Sequence, residues 1–296
     1  MAMNLLEVNS LSKNFGGLRA IDYLSFSLAS GEILSLIGPN GAGKTTVFNV
    51  ITGIYPATEG TVLFDDQVIV ETHARRRERF ARSTLTRLGG WIPWLPHQAL
   101  GWMGMTPILR PHDVVKRGIA RTFQTIRLFP RLTVLENVMA GLHHRGRAGA
   151  VGALLKLPST LQEETFIVER ARHHLAFIGL ADKADDLARN LAYGDQRRLE
   201  IARALATEPK LLVLDEPAAG LNEAEGLALM ETIHQIRQSG ITILLIEHDM
   251  KVVMQISDRI VVLDDGRKIA EGSPAEIQQN PDVIAAYLGE EQDEVV

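Results

Sequence analysis

The stretch GPNGAGKT, residues 38–45, has the composition of a loop that binds phosphate groups. It fits the pattern G-x-x-x-x-G-K-[ST], whose glycines allow the backbone angles that turn N–H groups towards phosphate oxygens. Lys44 supplies a point charge for the β- and γ-phosphates, and the Thr45 hydroxyl is a ligand for Mg²⁺. The stretch predicts a nucleoside triphosphate site with Mg²⁺. Its expected contacts are Gly38, Pro39, Asn40, Gly41, Ala42, Gly43, Lys44, Thr45 and Thr46.

A second stretch, LLVLDEP at residues 211–217, carries the acidic groups that such a site needs. An apolar strand delivers Asp215 to the edge of a sheet, where its carboxylate can hold Mg²⁺ through water. Glu216 follows directly and can polarise the attacking water. Buried strands often end in aspartate, so this stretch alone is unspecific. Together with the phosphate loop it predicts hydrolysis of a nucleoside triphosphate.

The elements around these stretches predict an α/β fold. Short, wholly apolar runs such as LLVL and ILLI are typical of parallel strands that are covered on both faces. Alternating runs between residues 5 and 36, together with GTVLFDD, predict further strands separated by turns. We expect one domain over residues 1–296. Its parts are an α/β core at 1–124 and 191–272, an insertion at 71–112, a helical subdomain at 125–190 and a C-terminal helical tail at 273–296.

The composition excludes several kinds of protein. With 296 residues, 46% of them hydrophobic and 23% charged, the chain is long enough for a large buried core. The formal net charge of −5 gives no reason to expect nucleic acid as a partner. The absence of cysteine excludes disulfides and thiolate metal sites. We expect no signal peptide and no membrane span, so a role at a membrane would depend on a partner.

The segment 71–112 differs in composition from its surroundings. Several arginines between residues 75 and 87 precede all three tryptophans, Trp91, Trp94 and Trp102, and four prolines. One interpretation is a surface excursion whose tryptophans pack on each other or on the core. The other is a docking element for a partner or for lipid headgroups, because tryptophan beside arginine suits interfaces.

In the order of these motifs the sequence resembles the ATP-binding-cassette (ABC) ATPases, over essentially the whole chain apart from 71–112. The resemblance implies a P-loop NTPase core with an antiparallel β subdomain and an inserted α-helical subdomain, and ATP with Mg²⁺ as its ligands. It places Phe15 where an aromatic ring stacks on adenine, although a core position for Phe15 stays open. The implied catalytic residues are Lys44, Gln124, Glu216 and His248, and the implied Mg²⁺ ligands are Thr45, Gln124 and Asp215.

The stretch LAYGDQ falls at the family's signature motif, which usually reads Ser-Gly-Gly after its leucine. The resemblance implies that this signature faces the ATP of a partner chain. Ala192 lacks a hydroxyl, so one hydrogen bond to a charged group, worth about 1.5–3 kcal/mol, is lost. The Gly194 amide and the positive end of a helix starting near Asp195 remain. The implied contacts are Leu191, Ala192, Tyr193, Gly194, Asp195 and Gln196, and the implied dimer loop is Gly220, Leu221 and Asn222.

Within the family, GIARTFQTIRLFPRLTVLENV, IEHDMKVVMQISDRI and NPDVIAAYLG are most similar to the ATPases of branched-chain amino-acid importers. This implies a motor subunit on the cytoplasmic face of the inner or plasma membrane. Its implied partners are a second ATPase subunit, permease subunits and, indirectly, a solute-binding protein, with no nucleic acid. Two alternatives stay open, the ATPase of a lipid or polysaccharide exporter and a non-transport ABC ATPase. The segment 71–112 departs from the branch's pattern.

Two histidine pairs, His143–His144 and His173–His174, lie within predicted helices. Neighbours on a helix point to different sides, so neither pair can converge on one metal ion. A solvated surface is the favoured interpretation for both pairs.

Overall fold

The computed structural model describes residues 3–71, 109–142 and 158–293. The arginine- and tryptophan-rich part of segment 71–112 and the pair His143–His144 lie outside the described residues. The elements in chain order are β1 (Asn4–Phe15), β2 (Leu18–Ala29), β3 (Ile33–Ile37), α1 (Lys44–Ile51), β4 (Glu59–Phe64), β5 (Gln67–Glu71), α2 (Pro111–Lys116), β6 (Ile119–Arg121), α3 (Val134–Leu142), α4 (Pro158–Phe177), α5 (Tyr193–Leu205), β7 (Leu211–Asp215), α6 (Glu223–Gln238), β8 (Thr242–Ile246), α7 (Met250–Ile256), β9 (Arg259–Asp264), β10 (Arg267–Gly272), α8 (Pro274–Gln278) and α9 (Pro281–Asp293).

The strands form two sheets. One has four antiparallel strands in the order β2-β1-β4-β5, and the other has six in the order β10-β9-β3-β8-β7-β6. In the larger sheet every neighbouring pair from β9 to β6 is parallel, and β10 joins β9 as an antiparallel hairpin strand. The prediction of an α/β core with an antiparallel β subdomain is confirmed.

The larger sheet is covered on both faces, which explains its uniformly apolar strands. Alternate residues of β8 belong to two different cores. Ile243 and Leu245 pack with helices α3 to α6 on one face, whereas Leu244 and Ile246 pack with α1 and the smaller sheet on the other. A third, smaller core joins β9 and β10 to the C-terminal helices.

Within 125–190 the described residues form helices α3 and α4 and two short 3-10 turns, with one isolated bridge between Thr133 and Leu187. The two histidines of α4 differ. His173 is exposed, but the His174 ring is partly buried and its Nε2 has no hydrogen-bond partner among the described residues. The prediction of a solvated surface is therefore wrong for His174, because this part of α4 lies beside Glu208, which follows α5 and pairs with Arg170.

Across the described ranges, no helix combines the length and the apolar character that crossing a lipid bilayer requires.

Candidate functional site

The predicted site residues gather at one edge of the six-stranded sheet. Strands β6, β7, β8 and β3 are parallel, so their carboxyl ends meet at the same edge. The phosphate loop (residues 38–46) follows β3, Glu216 follows β7 and His248 comes two residues after β8. Gln124 comes three residues after β6. In open α/β sheets ligands bind outside these carboxyl ends.

Glycine is required in the phosphate loop because other chain segments approach it closely. A Cβ atom at Gly38, where φ is 147°, would lie 2.0 Å from the carbonyl oxygen of Leu263. A Cβ atom at Gly43, where φ is 96°, would lie 2.4 Å from the carbonyl oxygen of Ala20. No L side chain fits at either position, so the loop follows one tight path before α1 begins at Lys44.

Lys44 is 5% exposed and turns back over the loop. Its Nζ donates to the carbonyl oxygens of Gly38 at 2.6 Å and Pro39 at 2.8 Å. The ammonium group is thereby held within the turn, where it can meet phosphate oxygens. Thr45 is exposed and Thr46 is half-buried at the start of the helix, so the Thr45 hydroxyl is accessible to a ligand.

Two residues that are distant from each other in sequence, Gln124 and His248, meet at Glu216. Gln124 Nε2 donates to Glu216 Oε2 at 2.8 Å, and His248 Nε2 lies 2.6 Å from Glu216 Oε1. The Glu216 backbone has a φ of 47°, unusual for a residue other than glycine, and its N–H donates to the carbonyl of Ile246 at 2.9 Å. The structure thus gives this carboxylate a polar partner on each oxygen.

Asp215 is held by an arginine that the sequence analysis did not identify. Arg121 Nη2 donates to Asp215 Oδ2 at 2.7 Å, and both side chains are buried. Arg121 Nη1 also reaches Asn49 and Thr52 at 2.7 and 3.0 Å, which ties β7 to α1. Asp215 Oδ1 is buried without a hydrogen-bond partner among the described residues, as fits an oxygen kept for a further ligand.

Glu247 is a second buried carboxylate beside the site. One of its oxygens accepts from the Ala218 N–H at 2.7 Å, and the other accepts from the His248 N–H at 3.2 Å. Burial raises the pKa of Glu247, and the negative charge of Glu216 raises it further. Glu247 therefore connects the segment after Glu216 with the segment that carries His248.

Phe15 is a surface residue rather than a core residue, with 41% of it exposed. Its ring contacts Tyr55 edge to face with centroids 5.3 Å apart, and Lys13 Nζ lies 4.7 Å from its centroid. One part of the ring is therefore occupied within the chain and the rest is open to solvent, as stacking on a base requires.

Helix α5 begins at Tyr193, two residues earlier than predicted, with Ala192 as its N-cap. The amides of Tyr193, Gly194 and Asp195 precede the first intrahelical hydrogen bond, made by the Gln196 N–H to the Ala192 carbonyl. Leu191 is buried and accepts from Gln196 Nε2 at 2.9 Å. The signature (residues 191–196) thus presents backbone donors at a helix N-terminus.

The signature lies directly against the dimer loop (residues 220–222) of the same chain. A Cβ atom at Gly220 would lie 3.1 Å from the Tyr193 ring, so that ring rests on the loop. A Cβ atom at Gly194 would lie 3.0 Å from Glu225 Oε1. Glu225 and Asn222 form the capping box of α6, so the two elements share one packed surface.

Asp195 is buried rather than exposed to a ligand, and its carboxylate pairs with Lys183 and Arg198. Burial alone would raise the pKa of Asp195, but these two cations outweigh it and the pKa is lowered. The negative charge is neutralised within the chain, so it does not oppose an anion at the helix N-terminus.

Besides Arg121 and Glu247, sequence reasoning missed Arg197 and Glu200 of α5. A signal for Arg197 was present, because it precedes Ile201 by four residues and Ala204 by seven, which is helical spacing on the apolar face. A charged residue on such a face needs buried partners. The partners themselves lie some 70 residues earlier, and no periodicity identifies them.

Comparison with known proteins gives consistent matches. The sequence model of the ABC transporter family matches residues 21–89 and 97–219. A second model, for branched-chain amino acid ATP-binding cassette transporters, matches residues 267–293. Residues 90–96, which the first model leaves unmatched, fall inside the segment 71–112.

Relatives and solved structures cover nearly the whole chain. The high-affinity branched-chain amino acid transport ATP-binding protein LivG of Escherichia coli is 46% identical over 98% of this chain and 100% of its own. BraF of Pseudomonas aeruginosa, which has the same description, is 40% identical over the same shares. A nucleotide-free ATP-binding cassette from an ABC transporter superposes with a TM-score of 0.74 at 30% identity, covering 96% of this chain and 99% of that one. The ADP conformation of such a cassette gives a TM-score of 0.73 at 30% identity, covering 97% and 99%.

Proposed function

The chain belongs to the ABC transporter family of ATP-binding proteins, which bind and hydrolyse ATP, and on this premise we propose that it is the motor subunit of an importer for branched-chain amino acids. The observation that carries the catalytic part is the convergence of Gln124 and His248 on the two oxygens of Glu216, beside a phosphate loop. Relatives described as branched-chain amino acid transport proteins support branched-chain amino acids as the transported solute.

ATP would bind with its phosphates in the loop of residues 38–46 and its base at Phe15. Lys44 supplies positive charge from inside the turn, and the N-terminus of α1 adds the positive end of its dipole. The exposed part of the Phe15 ring provides a stacking surface for adenine. The loop residues Pro39 to Thr46 would surround the phosphates.

Mg²⁺ fits this site because Asp215 Oδ1 is buried with no partner among the described residues. Thr45, Gln124 and Asp215 would hold the ion, together with oxygens of the nucleotide. When bound, it neutralises negative charge on the phosphates. In the described part of the chain no cluster of three or more His, Asp or Glu side chains could hold a metal ion alone.

Glu216 is the proposed acceptor of a proton from the water that attacks the γ-phosphate. The Gln124 amide and the His248 ring orient its carboxylate through one oxygen each. Both partners are side chains that can also contact water or phosphate. A hydrogen bond on each oxygen limits rotation of the carboxylate, so it stays directed at the reacting water.

A complete site would need two chains. In the proposed dimer the signature of one chain faces the phosphates bound by the other, with the amides at the start of α5 as donors. The second subunit is either another copy of this chain or a related ATPase. Tyr193, which rests on Gly220, would move together with the dimer loop.

The proposed partners are permease subunits and, through them, an extracytoplasmic solute-binding protein, with no nucleic acid. The proposed location is peripheral, at the cytoplasmic face of the inner or plasma membrane. We also propose the subdivision into a core at 1–124 and 191–272, an insertion at 71–112, a helical subdomain at 125–190 and a C-terminal tail at 273–296. The helices α3 and α4 and the C-terminal helices support it.

The test is transport by the assembled complex. A tagged full-length chain is expected to co-purify from membranes with permease subunits. Vesicles containing that complex are expected to take up labelled leucine in an ATP-dependent manner, with isoleucine and valine as competitors. A complex containing Glu216→Gln is the matched negative control. Failure to recover any permease would overturn the motor role, whereas uptake of an unrelated solute would overturn only the choice of amino acid.

A further inference from the structure

Helix α5 contains a buried ion pair that the proposed mechanism does not use. Arg197 is 0% exposed and Glu200, one turn later, is 1% exposed, with Arg197 Nη1 3.1 Å from Glu200 Oε2. Burial raises the pKa of Glu200. Moving two charged groups out of water is unfavourable, and their mutual attraction offsets this only when their remaining polar atoms are also satisfied. Arg197 Nε has no hydrogen-bond partner among the described residues, so the contacts of its two Nη atoms and of Glu200 indicate what the pair holds.

Those contacts go to the loop that follows β6. Arg197 Nη1 donates to the Phe123 carbonyl at 2.7 Å, and Nη2 donates to the Gln124 carbonyl at 2.8 Å. Glu200 Oε1 accepts from the Arg127 N–H at 3.2 Å. Residues 123–127 are thus fixed near both ends by two side chains from a single turn of one helix.

This loop carries the Gln124 side chain whose Nε2 donates to Glu216 Oε2. Fixing the carbonyls of two successive residues fixes the orientation of the peptide between them and thereby the direction in which Gln124 points. We propose that Arg197 is a positioning residue for ATP hydrolysis, which sets the Gln124 amide against Glu216 by holding the Phe123 and Gln124 carbonyls. The inference rests on the proposed roles of Gln124 and Glu216.

Arginine suits this task because its planar fork presents donors in a fixed geometry, whereas a lysine ammonium is a single point. The same Nη2 also reaches the Tyr193 hydroxyl at 3.3 Å. Tyr193 in turn rests on Gly220. One guanidinium group therefore joins the loop of Gln124 to the signature, and through Tyr193 to the dimer loop.

The test is a double-mutant cycle on the full-length chain, with kcat and nucleotide affinity measured separately. Gln124→Ala and Arg197→Met are each expected to lower kcat by about 10- to 100-fold, because misplacing a positioning group costs up to about that much. ATP affinity, measured without Mg²⁺, is expected to stay within about twofold, because the phosphate loop is untouched. The double variant is expected to be no slower than Gln124→Ala, because both changes remove the same interaction.

Two further variants separate positioning from folding. Arg197→Lys keeps a cation beside Glu200 but lacks the fork, so it is expected to melt near the parent temperature and still to lower kcat. Arg170→Met breaks another arginine pair, with Glu208 outside the site, and is expected to keep the parent kcat.

Three results would overturn the inference. Multiplicative losses in the double variant would show that Arg197 acts independently of Gln124. If both Arg197 variants keep the parent kcat while Gln124→Ala is slow, the positioning role of Arg197 is refuted and the role of Gln124 stands. Parent kcat in Gln124→Ala would refute the proposed role of Gln124 and the inference with it.

Discussion

Around the phosphate loop the contacts are mainly backbone contacts, whereas around the start of α5 they are made by charged side chains. The loop's path is set by glycines whose missing side chains admit the Leu263 and Ala20 carbonyls. At the start of α5, Asp195 is neutralised by two cations and Arg197 joins Glu200 to a distant loop. Each region carries a helix N-terminus, and in the proposed dimer both would face phosphate, but the two are held in place by different means.

The difference concerns what each region tolerates. A site made of backbone geometry depends on a few residues that cannot be replaced at all. A site held by side-chain networks depends on charge balance among partners that are far apart in sequence. Substitutions in the first region should act on nucleotide binding, and those in the second should act on turnover and on stability against pH.

Glu216→Gln tests the proposed catalytic carboxylate, whose partner Gln124 lies in the loop held by Arg197, and we expect the largest effect there. The amide keeps the shape of the side chain but cannot accept a proton, so hydrolysis should fall by about 100-fold or more. ATP binding and ATP-dependent dimerisation should persist, measured by calorimetry and light scattering. Normal turnover in this variant would refute the role of Glu216.

This prediction needed only the sequence, because the stretch LLVLDEP, together with a phosphate loop, predicts that Glu216 activates the attacking water. The same holds for the α/β fold, whose apolar strands and glycine-rich turn are local signals. The partners of Glu216 required a family resemblance, since nothing local marks Gln124 or His248. The roles of Arg121 and Arg197 could not be assigned, even though spacing marks Arg197 as lying on an apolar face, because these roles depend on contacts with residues 94 and 73 positions away.

Gly194→Asp tests whether the signature binds phosphate through its backbone amides. A carboxylate there would oppose the partner chain's phosphate, and losing such a preorganised donor site costs about 100-fold or more in rate. The structure adds a second cause, because the new side chain would also meet Glu225 Oε1.

Two controls separate these causes. Gly194→Asn has the same bulk without charge and is expected to retain more activity than Gly194→Asp. Gly194→Asp combined with Glu225→Gln removes the repulsion within the chain and is expected to stay inactive. Recovery of ATPase activity in that double variant would show that the charge repulsion from Glu225, and not the phosphate, is decisive.

Lys44→Ala tests the backbone-built region through its one buried cation. Each hydrogen bond to a charged group contributes about 1.5–3 kcal/mol, so ATP affinity should fall by about 10- to 100-fold. Lys210→Ala removes an exposed lysine paired with Asp65 and is the matched control. Equal affinities of parent and Lys44→Ala in calorimetry would count against the phosphate-loop assignment.

The partly buried ring of His174 in helix α4 predicts how the stability of the helical subdomain depends on pH. Burial, with the charges of Arg170 and His173, lowers its pKa from 6.5 to about 4, although Glu208 opposes this. Between these values the unfolded chain binds a proton that the folded chain does not, so stability should fall as the pH drops below 6.5. His174→Leu should reduce this loss of melting temperature, whereas His173→Leu, at an exposed position, should not. Identical profiles for parent and His174→Leu would contradict the assignment.

Ala192→Ser should have the smallest effect on turnover, because in the proposed dimer the signature already donates to phosphate through backbone amides. Ala192 is the N-cap of α5 and makes no side-chain cap. A serine hydroxyl there has two competing uses, accepting from an amide of the first turn, which stabilises a helix by about 1 kcal/mol, or donating to the facing phosphate.

The hydroxyl can serve the helix before ATP arrives, so the melting temperature should rise while kcat stays within about threefold of the parent. Both are measured on the same preparation, by thermal unfolding and by phosphate release. A tenfold or larger gain in kcat without a change in melting temperature would mean that the hydroxyl contacts phosphate in the working dimer. The signature would then depend on a side chain after all, and only the residues that support it would differ from the phosphate loop in the way they are held.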